Sequence, residues 1–181
     1  MNNIRPFLEH KPQIDSTAYI DSSAIVIGRV SVAEDASLWP CVVARGDVER
    51  IEIGRATNVQ DGTVLHVTHD GPYSPGGRAL LIGEGTTIGH QALLHACTVG
   101  DYCLIGMGAI VMDKVVVEDE CMIAAGAVVP PGKRVSSRTL WRGNPARPVR
   151  ELSQEEVRQL HYSAEHYVRI KDQHQQSAQQ Q

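Results

Sequence analysis

Aliphatic residues recur every six positions along most of this chain. They fall at Ile20, Val26, Val32 and Leu38, more weakly at Ala44, then at Ile53, Val59 and Leu65. After an interval they return at Ile82 and Ile88 and continue at Leu93, Val99, Ile105, Val111, Val117, Ile123, Val129 and Val135. Four residues after most of them stands a small or β-branched side chain, as at Ala36, Thr57, Thr63, Ala92, Cys103, Ala109, Cys121 and Ala127. Gly often follows the aliphatic directly, as at Gly54, Gly83, Gly89, Gly100 and Gly106. A period of six fits neither an amphipathic helix nor an uninterrupted strand. It fits a short strand and a corner, repeated. Three such units close one triangular coil of a parallel β-helix, with the aliphatic pointing in and the small residue near the corner. Gly, Asn and Asp are expected to supply the corner geometry that other side chains resist.

The rhythm breaks in three places. It slips by three residues between Ala44 and Ile53, it is interrupted by the Gly- and Pro-rich stretch between Thr68 and Leu80, and it loses one residue between Ile88 and Leu93. In a coiled scaffold such breaks are loops leaving the prism, and loops carry function. The pattern is expected to end after Val135. Gly143-Asn144-Pro145 and Pro148 then predict a turn and an extended crossover. Ser153 and Glu156 form a capping box, followed by a stripe of Val157, Leu160, Ala164, Tyr167 and Lys171, with Val168 beside it. The predicted organisation is a β-helix domain over 1–142 with a surface loop at 68–80, a crossover and helix over 143–172 packing on one prism face, and a disordered tail over 173–181.

Composition narrows the function. The 181 residues carry 17 Lys+Arg against 21 Asp+Glu, for a net charge of −4, with no basic patch to suggest nucleic acid. Aromatics are only 4%, so the core is built from small aliphatics. No apolar run is long enough for a membrane span, and the first residues lack the apolar segment of a signal peptide. A cytoplasmic protein is expected. The four cysteines, Cys41, Cys97, Cys103 and Cys121, form no CxxC pair. They read as small buried side chains rather than disulfides or thiolate ligands. Cys103 and Cys121 stand one coil apart and should stack.

Of eight histidines, His10, His161, His166 and His174 lie outside the repeat and read as surface or helix residues. His66, His69, His90 and His95 cluster beside two of the breaks. Imidazole is a common ligand for borderline metals, and three of them leave a fourth tetrahedral position for water. The alternative is a set of solvated histidines on a prism face. His90 and His95 are an odd number apart, so on a short strand they face opposite ways, and a site using both needs a second chain. Arg45 and Asp47 could pair with each other. Asn58 and Asp61 suit β-helix corners for structural reasons alone. Gln60 is the less expected residue, because it follows an aliphatic in the slot that His66 occupies one face later.

RGD at 45–47, NVQDG at 58–62, LHVTH at 65–69, GHQALLHACTVG at 89–100 and IGMGAIV at 105–111 resemble the gamma-class carbonic anhydrases. The likeness is greatest to their bacterial carbonic-anhydrase-like branch and covers about Ile20 to Val168. The resemblance implies a left-handed parallel β-helix, a homotrimer, and one metal at each subunit interface. His66 and His95 would come from one chain and His90 from its neighbour. Zn2+ is the default, with Fe2+ or Co2+ suiting the same ligands. It also implies an intersubunit Arg45–Asp47 pair, a Gln60 that holds the metal-bound water or the CO2 with Asn58 and Asp61 as neighbours, and Tyr167 near the metal. The implied reaction is attack of a metal-bound hydroxide on CO2 to give bicarbonate. Where family members carry a glutamate proton shuttle after the first ligand, this chain has His69, which could shuttle protons, act as an occasional ligand or be a loop residue. Val48 follows Asp47 where a second glutamate is found, with Glu49 one place on. Two other classes of function remain in play: a hexapeptide-repeat acyltransferase or thioesterase, and a non-catalytic trimeric metal-binding protein.

Overall fold

A computed structural model describes residues 3–179. Twenty strands, most of them two or three residues long, precede one helix, Gln154–Gln179. The strands form a 12-stranded and an 8-stranded sheet. Pairing between strands is parallel except in the hairpin of Thr139–Gly143 with Ala146–Glu151. The chain is thus a mainly β, parallel solenoid. Among the described residues no helix is long and apolar enough to cross a membrane.

Three columns of inward aliphatics run along the prism. Leu65, Leu94, Val111 and Val129 stack on one face. Val59, Ile88, Ile105 and Ile123 stack on the second. Ile53, Ile82, Val99, Val117 and Val135 stack on the third. All are buried, and each such side chain contributes about 1.5–3 kcal/mol when withdrawn from water. Cys97, Cys103 and Cys121 are free and buried, as expected of small corner residues, while Cys41 is free and exposed.

Many corners are four-residue turns in which the fourth N–H donates to the first carbonyl, as Thr57 does to Gly54 and Ala109 to Gly106. The third residue takes a positive φ, and the fourth is the buried small residue of the repeat. Gly62, Gly108 and Gly126 fill some third positions, but Asp35, Cys41, Ala56, Gln91 and Lys114 fill others. The glycines that directly follow the aliphatic have a different role from the one expected. A Cβ on Gly54 would lie 2.4 Å from the backbone carbonyl carbon of Gly83, and one on Gly106 would lie 2.4 Å from the amide nitrogen of Ala125. These positions let successive coils approach.

Several expectations are corrected. The inward residue of its strand is Leu94, while Leu93 faces out. The residue is therefore lost between Leu94 and Val99, and His95 takes the slot that His66 takes one coil earlier. The repeat does not end at Val135: Trp141 stacks on Ile123 as a further inward residue. It also begins earlier, with Ile14 paired to Val32 and Ile4 to Val26. The segment after Gly143 is the returning strand of a hairpin rather than a crossover. The capping box forms, with Ser153 Oγ accepting from the Glu156 N–H at 3.2 Å and Glu156 Oε2 accepting from the Ser153 N–H at 2.9 Å. The helix then continues through Gln173–Gln179, where a disordered tail was expected; residues 180–181 lie outside the described residues. Gln and Ala are good helix formers, and tertiary contacts hold this stretch. The His174 ring lies 4.9 Å from that of Trp39, and Gln175 donates to the Ala18 carbonyl at 3.3 Å.

The two remaining breaks are as expected. Gly28 pairs with Gly46 and Val30 with Ile51, so the residues after Gly46 bulge from the ladder and carry Asp47 outward. The Gly- and Pro-rich stretch leaves the prism as a loop closed by an antiparallel bridge of Thr68 with Arg78.

Candidate metal centre

Arg45, His66 and His95 each follow an inward aliphatic on neighbouring rungs of one outer face. His66 and His95 are paired in register. Their rings lie 5.1 Å apart, and His66 Nδ1 is 3.1 Å from His95 Nε2. The other nitrogen of each ring is tied to a carboxylate. His66 Nε2 donates to Asp47 at 3.1 Å, and His95 Nδ1 donates to Asp113 at 2.7 Å. Arg45 takes the second oxygen of Asp47, and the Thr68 hydroxyl takes the second oxygen of Asp113. Burial pushes Asp47 up, but hydrogen bonds from Arg45 and His66 outweigh it and hold the carboxyl below its ordinary value. Asp113 is lowered likewise, burial being outweighed by Thr68 and His95. Both carboxylates are therefore acceptors, and the facing nitrogens carry lone pairs.

Two lone pairs at that distance repel unless a proton or a metal cation lies between them. Burial first, with the Arg45 and His95 charges, holds His66 below its ordinary value despite the Asp47 hydrogen bond. A tetrahedral metal with nitrogen at about 2.0–2.1 Å needs ligand nitrogens roughly 3.3 Å apart, close to the separation seen. The donor set fits a borderline divalent cation.

His90 stands apart from this pair. It lies on the turn before the strand Leu93–His95, while His95 ends that strand. Its Nδ1 lies 2.9 Å from an Asp61 carboxylate oxygen on the preceding coil. Each of the three histidines thus has an aspartate beside one ring nitrogen. Within one chain, among the described residues, no group of three or more His, Cys, Asp or Glu side chains could hold a metal ion.

The remaining predicted residues lie on the adjoining face or the loop. Gln60 is 5% exposed, and its amide donates to Asn58 Oδ1 at 3.1 Å. Asn58 in turn donates to Thr87 at 2.9 Å, whose hydroxyl meets Ser163 of the helix at 3.0 Å. Tyr167 packs edge-on against Trp39. Burial first, and then the Asp61 charge, pushes its hydroxyl above its ordinary value. Tyr167 therefore joins the Asp61 end of the site and makes no contact with the His66–His95 pair. His69 is exposed on the loop beside a cleft of about 290 Å³ that reaches Asp113. Arg45 and Asp47 form an ion pair within the chain. A larger groove of about 520 Å³ at the N-terminal coil contains none of these residues.

Sequence reasoning missed Asp113 and Thr68. The signal was present in the spacing, since Asp113 stands one coil after His95. Aspartate at a β-helix corner is too common to single out without the ladder register.

Residues 96–131 match the family described as Bacterial transferase hexapeptide (six repeats). The chain is 48% identical to Protein YrdA of Escherichia coli (strain K12) over 94% of this chain and 93% of that protein. It is 40% identical to Gamma carbonic anhydrase 2, mitochondrial, of Arabidopsis thaliana, over 90% of this chain and 58% of the plant protein. It is 38% identical to a Carbonic anhydrase of Geobacillus kaustophilus, over 91% of this chain and 87% of that one. Among solved structures, a hexapeptide transferase family protein from Anaplasma phagocytophilum is similar, with a TM-score of 0.86 and 42% identity over 95% of this chain and 98% of that one.

Proposed function

The chain belongs to the gamma carbonic anhydrase family of hexapeptide-repeat proteins, and from that premise we propose that it is a metal-dependent lyase for the reversible hydration of CO2 to bicarbonate, working as a homotrimer. The observation that carries this reading is the orientation of the three histidines. Asp47 and Asp113 each accept from one ring nitrogen, of His66 and His95 respectively, and Asp61 lies beside Nδ1 of His90, so the opposite nitrogens would be the ligands. His66 and His95 would hold the metal from one chain and His90 from the next. Zn2+ is the default, and Fe2+ and Co2+ suit the same donors. When bound, such a cation lowers the pKa of water to about 7 and so makes a nucleophile available at neutral pH.

The chain's own groups supply the rest. Gln60 is anchored through its amide nitrogen by Asn58, so its carbonyl oxygen is left to orient water or substrate. Arg45 engages Asp47, which keeps His66 in one tautomer. Tyr167, a phenol whose pKa burial and the Asp61 charge push further up, offers a donor near Asp61. His69 is exposed at the loop, where an imidazole can pass a proton to solvent. A second chain has a surface to meet: Val64 and Leu93 are each 39% exposed and Met112 is 36% exposed, all on the face that carries the histidine pair. Four free cysteines agree with a reducing, cytoplasmic setting.

Stopped-flow CO2 hydration tests the reading, on protein loaded with Zn2+ or, anaerobically, with Fe2+. The wild type is expected to exceed His90→Ala clearly, and equal rates would overturn the assignment. A second reading, acyl transfer, draws on the transferase name of the Anaplasma relative. Acetyl-CoA binding by calorimetry, with no metal uptake, would favour it. One metal per chain without turnover would instead favour a non-catalytic metal-binding trimer.

A further inference from the structure

Each imidazole of the His66–His95 pair leans on a carboxylate, but the two supports are built differently. Asp47 is steadied by Arg45 on its own strand. Asp113 lies on the coil after His95 and is steadied by Thr68 from a distant part of the sequence. Thr68 opens the inserted loop. Its backbone is pinned to Arg78 in both directions, with Thr68 N–H donating at 3.1 Å and Arg78 N–H donating at 2.8 Å. The Thr68 hydroxyl, the Asp113 carboxylate and the His95 ring therefore form one continuous hydrogen-bonded line from the loop base to the nitrogen that faces His66.

We propose that Asp113 and Thr68 are positioning residues that fix His95 as its Nδ1–H tautomer with Nε2 turned to His66, which makes the base of the 68–78 loop a working part of the site. A carboxylate behind a ligating histidine orients the ring and raises its basicity, and its loss typically weakens metal binding about 10–100-fold. The threonine acts through the aspartate. It occupies the oxygen that would otherwise be free to rotate away or to accept from water. A simple loop staple would require the Thr68–Asp113 bond but would have no effect on the state of His95. The inference rests on the metal reading above for its effect on affinity, but not for its effect on the tautomer.

Two measurements separate these cases. In metal-free protein, long-range 1H–15N spectra of the histidines report the tautomer of each ring. Wild type is expected to show His95 with its proton on Nδ1, and Asp113→Ala to move that proton largely to Nε2. Metal affinity is then read by competition of Zn2+ between the protein and a chromophoric chelator. Asp113→Ala is expected to weaken binding by about 10–100-fold, and Thr68→Val by a smaller factor, about five-fold, because it acts only through the aspartate. Thr68→Ser should restore wild-type affinity. Thermal melts accompany each variant, and Asp113→Leu, which keeps a similar length but has no acceptor, serves if the alanine variant does not fold. An unchanged His95 tautomer with unchanged affinity in folded Asp113 variants would overturn the inference and leave a loop staple. Wild-type protein that takes up no metal would sink the metal reading, while the tautomer spectra would still decide the role of Asp113.

Discussion

At the scale of single residues, the most demanding side chain outside the site is Lys171. It is 2% exposed, and its ammonium donates to Asp35 at 2.8 Å and to the Thr17 carbonyl at 3.0 Å, with Asp172 also at 2.8 Å. It ties the far end of the helix to the first coils. Lys171→Met keeps the length and apolar stem but leaves these acceptors without a cation. Breaking a buried pair costs about 3–5 kcal/mol, but both carboxylates reach solvent, so a loss of about 1–3 kcal/mol is expected. For a chain of this size that lowers Tm by about 3–10 °C, read by calorimetry. An unchanged Tm would mean that the helix is held by its apolar face alone. The sequence placed Lys171 on the buried stripe but could not show why a lysine is tolerated there, because Thr17 and Asp35 lie more than a hundred residues away. The histidines were easier to read. His66 announces itself by following an inward aliphatic where Gly often stands. His95 does the same once Leu94, rather than Leu93, is recognised as the inward residue. Asp113 carries no such mark.

At the scale of elements, the coil depends on two different uses of glycine, and they separate in one pair of variants. Gly54→Ala would put a methyl 2.4 Å from the backbone of Gly83, with no flexible side chain able to yield. Gly108 has φ +65° and nothing within 4 Å of the added methyl, so Gly108→Ala costs only the left-handed conformation, about 1–2 kcal/mol. Gly54→Ala is expected to lose more stability than Gly108→Ala, or to fail to fold, as followed by urea unfolding. The reverse order would show that corner conformation, not coil approach, selects these glycines. The hexad rhythm revealed the coils because each turn buries one aliphatic at a fixed interval. It could not distinguish the two glycine roles, which depend on the coil above. It also misplaced the inward leucine, because two adjacent leucines satisfy the count equally and only the pairing of His95 with His66 decides between them. The helix start was legible because its capping box is local. Its end was not, because His174 and Gln175 make contacts with Trp39, Tyr19 and Ala18 that no local pattern records.

At the scale of the whole molecule, the proposed site is a property of the assembly rather than of the chain. His66 and His95 face one another on one side of the prism, while His90 lies beside Asp61 on the turn before the His95 strand. A closed ring of three chains would bring the His90 of each to the pair of its neighbour. That geometry makes a prediction which no single-chain site can imitate. His90→Ala and His95→Ala homotrimers each lack a ligand at every interface and should bind little metal. When the two variants are mixed in equal amounts, unfolded and refolded together, a complete ligand set arises wherever a His90→Ala chain supplies its intact pair to a chain that still carries His90. In a three-fold ring with random assortment, that combination occurs at about a quarter of the interfaces. Metal content by elemental analysis should therefore recover to about a quarter of the wild-type value, with CO2 hydration rising in proportion. Chains that supply all three ligands from within themselves would regain nothing on mixing. A mixture as empty as its parents, from subunits shown by native mass spectrometry to have exchanged, would refute the shared centre.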